Sequence, residues 1–147
     1  EQLTILKEVI HTDFSMFKNI SAKIKFNKKM KVGILGLGYH DNKSYEGISP
    51  SLELYQDLKN QVKEIALNDS KVNFHDYSEL KNINQFNFPN DLKNFEVIIL
   101  TKNDELYNSL SWKKIKTLFK TKLIIDTCGA WNKFPWKETN IKYKLIT

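Results

Sequence analysis

Three short runs in this chain carry no polar side chain, and each stops abruptly: Val32-Gly33-Ile34-Leu35 before Gly36, Val97-Ile98-Ile99-Leu100 before Thr101, and Leu123-Ile124-Ile125 before Asp126. A strand with one solvated face alternates apolar with polar residues. A strand apolar on both faces must be covered on both, which is the condition of a parallel sheet with helices on either side. These runs therefore constrain the chain more than any other feature.

The segments between them have helical spacing. Residues 1 to about 26 place Leu3, Leu6, Ile10, Phe14, Phe17 and Ile20 on one stripe, with Thr12 or Asp13 able to cap a break. Pro50 follows Ser49 as a first helical residue follows its cap. The helix it opens is expected to run through Leu52, Leu54, Tyr55, Leu58, Val62 and Ile65. Lys71 to Asp76 reads as a second strand, Tyr77 to Asn94 as irregular, Asp104 to Phe119 as a helix, and Ile141 to Ile146 as a final edge strand. The expected fold is α/β: a Rossmann-like, open, mostly parallel sheet of about five strands with flanking helices, preceded by a lead-in helix. Residues 1–27 form the lead-in segment and 28–147 the domain.

The length of 147 residues suits one core and is too short for a two-domain, two-substrate enzyme. One cysteine excludes a disulfide framework and a cysteine-rich zinc site. No apolar run is long enough to span a bilayer. Glu1-Gln2-Leu3 has neither an initiator Met nor a signal-peptide pattern, so the reading is a soluble, cytoplasmic chain, either standalone or cut from a longer polypeptide, with no membrane partner. The net charge of +6 comes from 23 lysines and no arginine, interleaved with acids along most of the chain. Nucleic-acid readers use clustered stripes and the arginine fork, so no nucleic-acid partner is expected.

In an open α/β sheet, ligands bind beyond the carboxyl ends of the strands. Gly36 to Ser49, Thr101 to Glu105 and Asp126 to Gly129 should converge there, with the helix N-terminus at Pro50 favouring phosphate or carboxylate. A dinucleotide fingerprint is incomplete: Gly36-Leu37-Gly38 lacks its third glycine, where Asp41 stands, although Asp76 could close the second strand with a ribose-binding acid. Direct NAD binding, and a small NAD-binding regulator, are disfavoured accordingly. His11, His40 and His75 have no metal-ligand spacing to one another or to Cys128, so no metal is expected. His40 alone lies in the crevice loop. Cys128 reads by default as a buried inert thiol, and Trp112, Trp131 and Trp136 as packing residues.

Val32-Gly33-Ile34-Leu35-Gly36-Leu37-Gly38-Tyr39, nine loop residues, then Ser49-Pro50-Ser51-Leu52-Glu53-Leu54 resemble the C-terminal, UDP-binding domain of the UDP-glucose/GDP-mannose dehydrogenase family. Asp76, Val97 to Thr101 with Asp104-Glu105, and Ile124-Ile125-Asp126-Thr127 with Gly129 and Trp131 extend the similarity, the last resembling the N-acetylmannosamine-type members. The resemblance implies enzymes that oxidise the C6 hydroxyl of a nucleotide sugar to a carboxylate with two NAD. In them an N-terminal domain holds NAD and the catalytic cysteine, a central helix supports a homodimer, and the C-terminal domain grips UDP. It implies for this chain a UDP-sugar site on Tyr39, His40, Lys43, Ser49 and Cys128, a glycine turn of Gly33, Gly36 and Gly38, and neither catalytic residues nor a cofactor of its own. Alone, the chain should not catalyse the oxidation.

The departures fall on charged positions. His40 stands where the family has Lys, and Gly47 and Cys128 stand where it has Arg. Lys43, Lys102 or Lys133 could supply replacement charge, without the bidentate fork. Two readings follow. One is the substrate-holding domain of an NAD-dependent UDP-sugar 6-dehydrogenase serving polysaccharide synthesis, with UDP-sugar and an NAD-binding domain as partners. The other is a degenerate or detached copy acting as a non-catalytic interaction module.

Overall fold

The computed structural model describes residues 15–37, 45, 47 and 49–146. A helix over residues 15–23 (α1) leads into strand β1 (Lys31–Leu35), helix α2 (Pro50–Leu58), β2 (Glu64–Asn68), β3 (Val97–Leu100), helices α3 (Glu105–Asn108) and α4 (Trp112–Ile115), β4 (Leu123–Asp126) and β5 (Lys142–Leu145). The strands form one parallel sheet in the order β2-β1-β3-β4-β5. The expected fold class holds, and the lead-in helix is present over its described part; its proposed cap at Thr12 or Asp13 and the stripe from Leu3 to Phe14 lie outside the described residues.

The apolar runs do what two-sided burial requires. Val97 and Ile99 of β3 face one core with Val32, Ile34, Leu54, Leu58 and the α1 residues Phe17 and Ile20. Ile98 and Leu100 face the other with Leu35, Ile124, Tyr107 and Trp131. All four β3 residues are buried, as the sequence pattern demands.

Two elements depart from the sequence reading. The helix from Pro50 ends at Leu58 rather than Ile65, and the second strand is Glu64–Asn68 rather than Lys71 to Asp76. Val62 and Ile65 fit a helical stripe, but Glu64 to Asn68 pairs with Lys31 to Leu35 and completes the sheet beside β1. A short apolar run cannot declare its period alone. Phe74–Asp76 is instead one 3-10 turn, because the Asn73 side chain accepts the His75 N–H at 3.1 Å and offers the backbone a local partner. Asp76 and His75 are exposed there, away from any strand end.

The helix expected over Asp104 to Phe119 is two single turns. Asp104 caps one by accepting the Leu106 N–H at 2.9 Å, and Ser111 caps the next by accepting the Lys114 N–H at 3.2 Å. A second cap within the segment starts a new helix. At the other end of the sheet β5 forms the edge, as its alternation predicts. Lys142 and Lys144 within it discourage further strand addition.

Candidate functional site

The register sets Leu35 beside Leu100 and Leu100 beside Asp126. Three chain segments therefore leave the sheet together at its carboxyl edge. The ladder continues one step past the strands: Gly36 N donates to Asn68 O at 2.9 Å, Thr101 N to Leu35 O at 2.9 Å, and Thr127 N to Leu100 O at 3.0 Å.

Helix α2 is fixed against this edge. Ser51 Oγ donates to Thr101 Oγ1 at 2.8 Å, and the Thr101 hydroxyl lies 3.0 and 2.9 Å from the Leu35 and Gly36 carbonyls. Ser49 caps the helix by accepting the Leu52 N–H at 3.0 Å. Its hydroxyl thus holds the helix start in place, a structural duty added to the substrate contact expected of it. The α2 N-terminus, with the positive end of the helix dipole, therefore lies beside Thr101 at the carboxyl edge.

The glycines divide by role. Gly36 has φ +109°, and a Cβ there would sit 2.5 Å from Lys102 Cβ and 2.8 Å from Thr101 Oγ1. Only glycine fits this turn. Gly33 is not part of it: it lies within β1, where a Cβ would stand 2.7 Å from the Phe95 ring, so its role is close packing. Gly38, Tyr39, His40 and Lys43 lie outside the described residues.

Under the turn is a buried charge cluster that sequence reasoning missed. Lys102 Nζ lies 3.0 Å from Asp69 Oδ2 and 3.8 Å from Asp104 Oδ2, with all three side chains at most 3% exposed. Asp69 Oδ2 also accepts the Leu37 N–H at 2.9 Å, and its Oδ1 accepts the Lys71 N–H at 3.0 Å. The Lys71 ammonium, about a third exposed, is 3.7 Å from Asp104. Tyr107 donates to the Asn68 carbonyl at 2.8 Å, and burial, with Asp69 and Asp104 nearby, pushes its pKa well above the ordinary range. The cluster holds the first backbone N–H after Gly36. Lys102, expected as a solvent-side phosphate ligand, is withdrawn into this cluster.

Asp69, not Asp76, closes the second strand. Asn68-Asp69-Ser70 after an apolar pair was the available signal, obscured by the misplaced strand. Its carboxylate accepts from the Leu37 and Lys71 backbone N–H groups and from the Lys102 ammonium.

The loop between β1 and α2 is anchored at its far side by Tyr45, also missed. Its hydroxyl donates to Glu79 Oε1 at 3.0 Å, and Tyr77 donates to the Tyr45 carbonyl at 3.0 Å. Burial, then the Glu79 contact, pushes the Tyr45 pKa up to about 12. Gly47, at φ +86°, meets open space.

At the third strand end Asp126 is fully buried and accepts N–H groups from Cys128, Gly129 and Trp131 at 3.0, 2.8 and 2.9 Å, and the Tyr143 hydroxyl at 2.6 Å. These contacts account for the aspartate, and the positive φ of +79° for Gly129, while the tryptophan fits through its fully buried indole, whose N–H donates to Tyr107 O at 3.0 Å. Cys128 is exposed at the rim, contrary to the buried thiol expected, because Asp126 turns the chain outward there; its Sγ lies 3.4 Å from Asp126 Oδ1. Trp131 and Trp136 are packing residues, each donating its indole N–H to a carbonyl. Lys133 is exposed and lies 5.3 Å from the Phe134 ring centroid. His11 lies outside the described residues.

Among the described residues no three His, Cys, Asp or Glu side chains are grouped to hold a metal, and no helix is long and apolar enough to cross a membrane. The arrangement offers a helix N-terminus, backbone turns and the rim cation Lys71, which suits binding of an anionic group.

No curated protein sequence matches this chain. Among solved structures, UDP-D-ManNAc dehydrogenase from Pyrococcus horikoshii superposes with a TM-score of 0.65 at 18% identity, over 95% of this chain and 31% of that one. The UDP-N-acetyl-mannosamine dehydrogenase of Staphylococcus aureus gives 0.62 at 17% identity, over 95% and 30%. The chain thus spans about a third of the length of the structures it resembles, and the likeness is one of fold. Residues 33–133 match the model of the UDP-glucose/GDP-mannose dehydrogenase family, UDP binding domain, over the segment that builds the glycine turn, the buried charge cluster and the Asp126 closure, and the chain belongs to that family.

Proposed function

We propose that this chain is the UDP-gripping domain of a nucleotide-sugar 6-dehydrogenase. The observation that carries the reading is the convergence of the α2 N-terminus, the Gly36 turn and the Asp126 closure at one edge of the sheet, in a chain matched to the family's UDP binding domain. The diphosphate would lie toward α2, where the helix dipole favours its charge. Tyr39, His40 and Lys43 would supply side-chain contacts from the loop between β1 and α2, and Cys128 would border the nucleotide at the end of β4.

The ligand contacts are weaker than the family's. Each charged hydrogen bond lost at His40, Gly47 or Cys128 costs roughly 1.5–3 kcal/mol. With Lys102 buried, Lys43 or Lys133 would supply the compensating point charge. NAD and the catalytic cysteine belong in this reading to a separate domain, and the pair would form a homodimer in the cytoplasm. The reaction would be oxidation of a UDP-sugar at C6 to the uronic acid, with two NAD consumed, for polysaccharide precursors. The sugar would be of the N-acetylmannosamine type, as in the superposed enzymes.

Calorimetric titration with UDP and with NAD tests the reading. UDP binding without NAD binding, weakened by Lys43→Ala or His40→Ala, is expected. Absence of heat with UDP at millimolar ligand would favour the second reading, a copy retaining the scaffold as an interaction module. The observation behind that alternative is the loss of Lys102 to the buried cluster on top of the three replaced contacts.

A further inference from the structure

The opposite, amino edge of the sheet carries a feature the UDP site does not use. Between Leu106 and Ile125 the sequence has no acidic residue and five lysines: Lys113, Lys114, Lys116, Lys120 and Lys122. All five are exposed, and among the described residues none has a carboxylate within ion-pair distance. In their midst Phe119 is 89% exposed.

The phenylalanine is held outward by a built turn. Ile115 and Leu118 are buried beneath it, Thr117 N and Leu118 N donate to Lys114 O and Ile115 O at 3.0 Å each, and Thr121 Oγ1 donates to Phe95 O at 2.8 Å. The ring lines a groove of about 270 Å³ together with Ile115, Leu118, Ile141, Lys116 and Glu138. Leaving a large ring in water opposes the hydrophobic effect, and a turn that fixes it there beside a groove of mixed apolar and polar lining marks a contact surface.

We propose that this edge docks an acidic polypeptide segment bearing an apolar anchor residue. The anchor would enter the groove against Phe119, and its flanking carboxylates would meet Lys116, Lys120 and Lys122. Charge complementarity selects this occupant. A second copy placed face to face would oppose five lysines with five. A nucleic acid would use the arginine fork that the chain lacks. A lipid surface needs no groove. Because the patch precedes β4 while the UDP site follows it, a docked segment leaves the crevice open.

The test is fluorescence anisotropy of a labelled peptide alternating Glu pairs with Leu, titrated with the full chain at physiological salt. Circular dichroism confirms that each surface variant folds. Phe119→Ser and Lys116→Gln/Lys120→Gln should each weaken binding by about tenfold, as loss of an interface anchor does. Lys25→Gln/Lys29→Gln, the same charge loss elsewhere on the exposed surface, should leave it within about twofold, as rim or distant charges do. A peptide with Ser for Leu should bind like the Phe119 variant. Equal loss in both lysine pairs, or no effect of Phe119→Ser, would overturn the proposal. Phe119-dependent binding to anionic vesicles or to an RNA oligonucleotide in preference to the peptide would overturn it as well.

Discussion

Gly36→Ala is the perturbation that most sharply probes the construction of the site. Two costs are independent. Holding an L residue at φ +109° costs about 1–2 kcal/mol, because Cβ crowds the following carbonyl. The new methyl would also sit 2.5 Å from Lys102 Cβ, and no rotamer relieves it, since both atoms are fixed to backbone. Lys102 cannot retreat either, with its ammonium 3.0 Å from the buried Asp69 carboxylate. Overpacking of this kind costs about 1–3 kcal/mol, for a total of about 2–5 kcal/mol. Gly47→Ala is the matched control: its φ is +86° but nothing lies within 4 Å, so backbone strain of about 1–2 kcal/mol is all it pays. Urea unfolding followed by tryptophan fluorescence reads the difference, since Trp131 and Trp136 are buried. With a slope of about 2 kcal/mol per molar, Gly36→Ala should lower the midpoint by about 1–2.5 M and Gly47→Ala by about 0.5–1 M. Equal shifts in the two variants would refute the claim that the Gly36 turn is closed by contact with Lys102.

Lys102→Met should destabilise by about 3–5 kcal/mol, because it removes the buried cation that the Asp69 and Asp104 carboxylates share, and a thermal melt within a degree or two of wild type would argue against the cluster. Asp126→Ala leaves three buried or half-buried N–H groups and the Tyr143 hydroxyl without their acceptor, at about 1–3 kcal/mol for each that water cannot reach, and should loosen β5 first by hydrogen exchange. The raised pKa values of Tyr45, Tyr107 and Tyr143 favour the neutral phenol in the fold. That stability is full below the unfolded value of 10.0 and, for Tyr45, is lost as pH rises from there through about 12. Alkaline absorbance titration should therefore show these tyrosines ionising only as the chain unfolds; free ionisation near pH 10 in the folded chain would contradict their contacts.

The sheet was legible because two-sided burial leaves a run of apolar residues that no half-exposed element tolerates, and Val97 to Leu100 shows it most plainly. What failed was period and punctuation in short segments. Val62 and Ile65 suit a helix or a strand equally until Glu64 to Asn68 is seen pairing with β1. Asn73 carried a local turn signal that the alternation of Val72 and Phe74 masked. The closing motif at Asp126 was recognisable by spacing, but its reason, one carboxylate gathering donors from four residues, is three-dimensional. The Lys102–Asp69 pair joins residues 33 apart in sequence. Nothing in a lysine's immediate neighbours announces that its ammonium is buried.

The crevice account is tested most directly at Cys128, the single cysteine of the chain, exposed where β4 meets the site. Alkylation of that thiol, followed by mass spectrometry with and without ligand, reports occupancy at the atom concerned. UDP should slow the reaction several-fold while NAD leaves it unchanged, and the UDP effect should weaken in Lys43→Ala. An alkylation rate indifferent to millimolar UDP, or slowed by NAD instead, would contradict a UDP site at the carboxyl edge of this sheet.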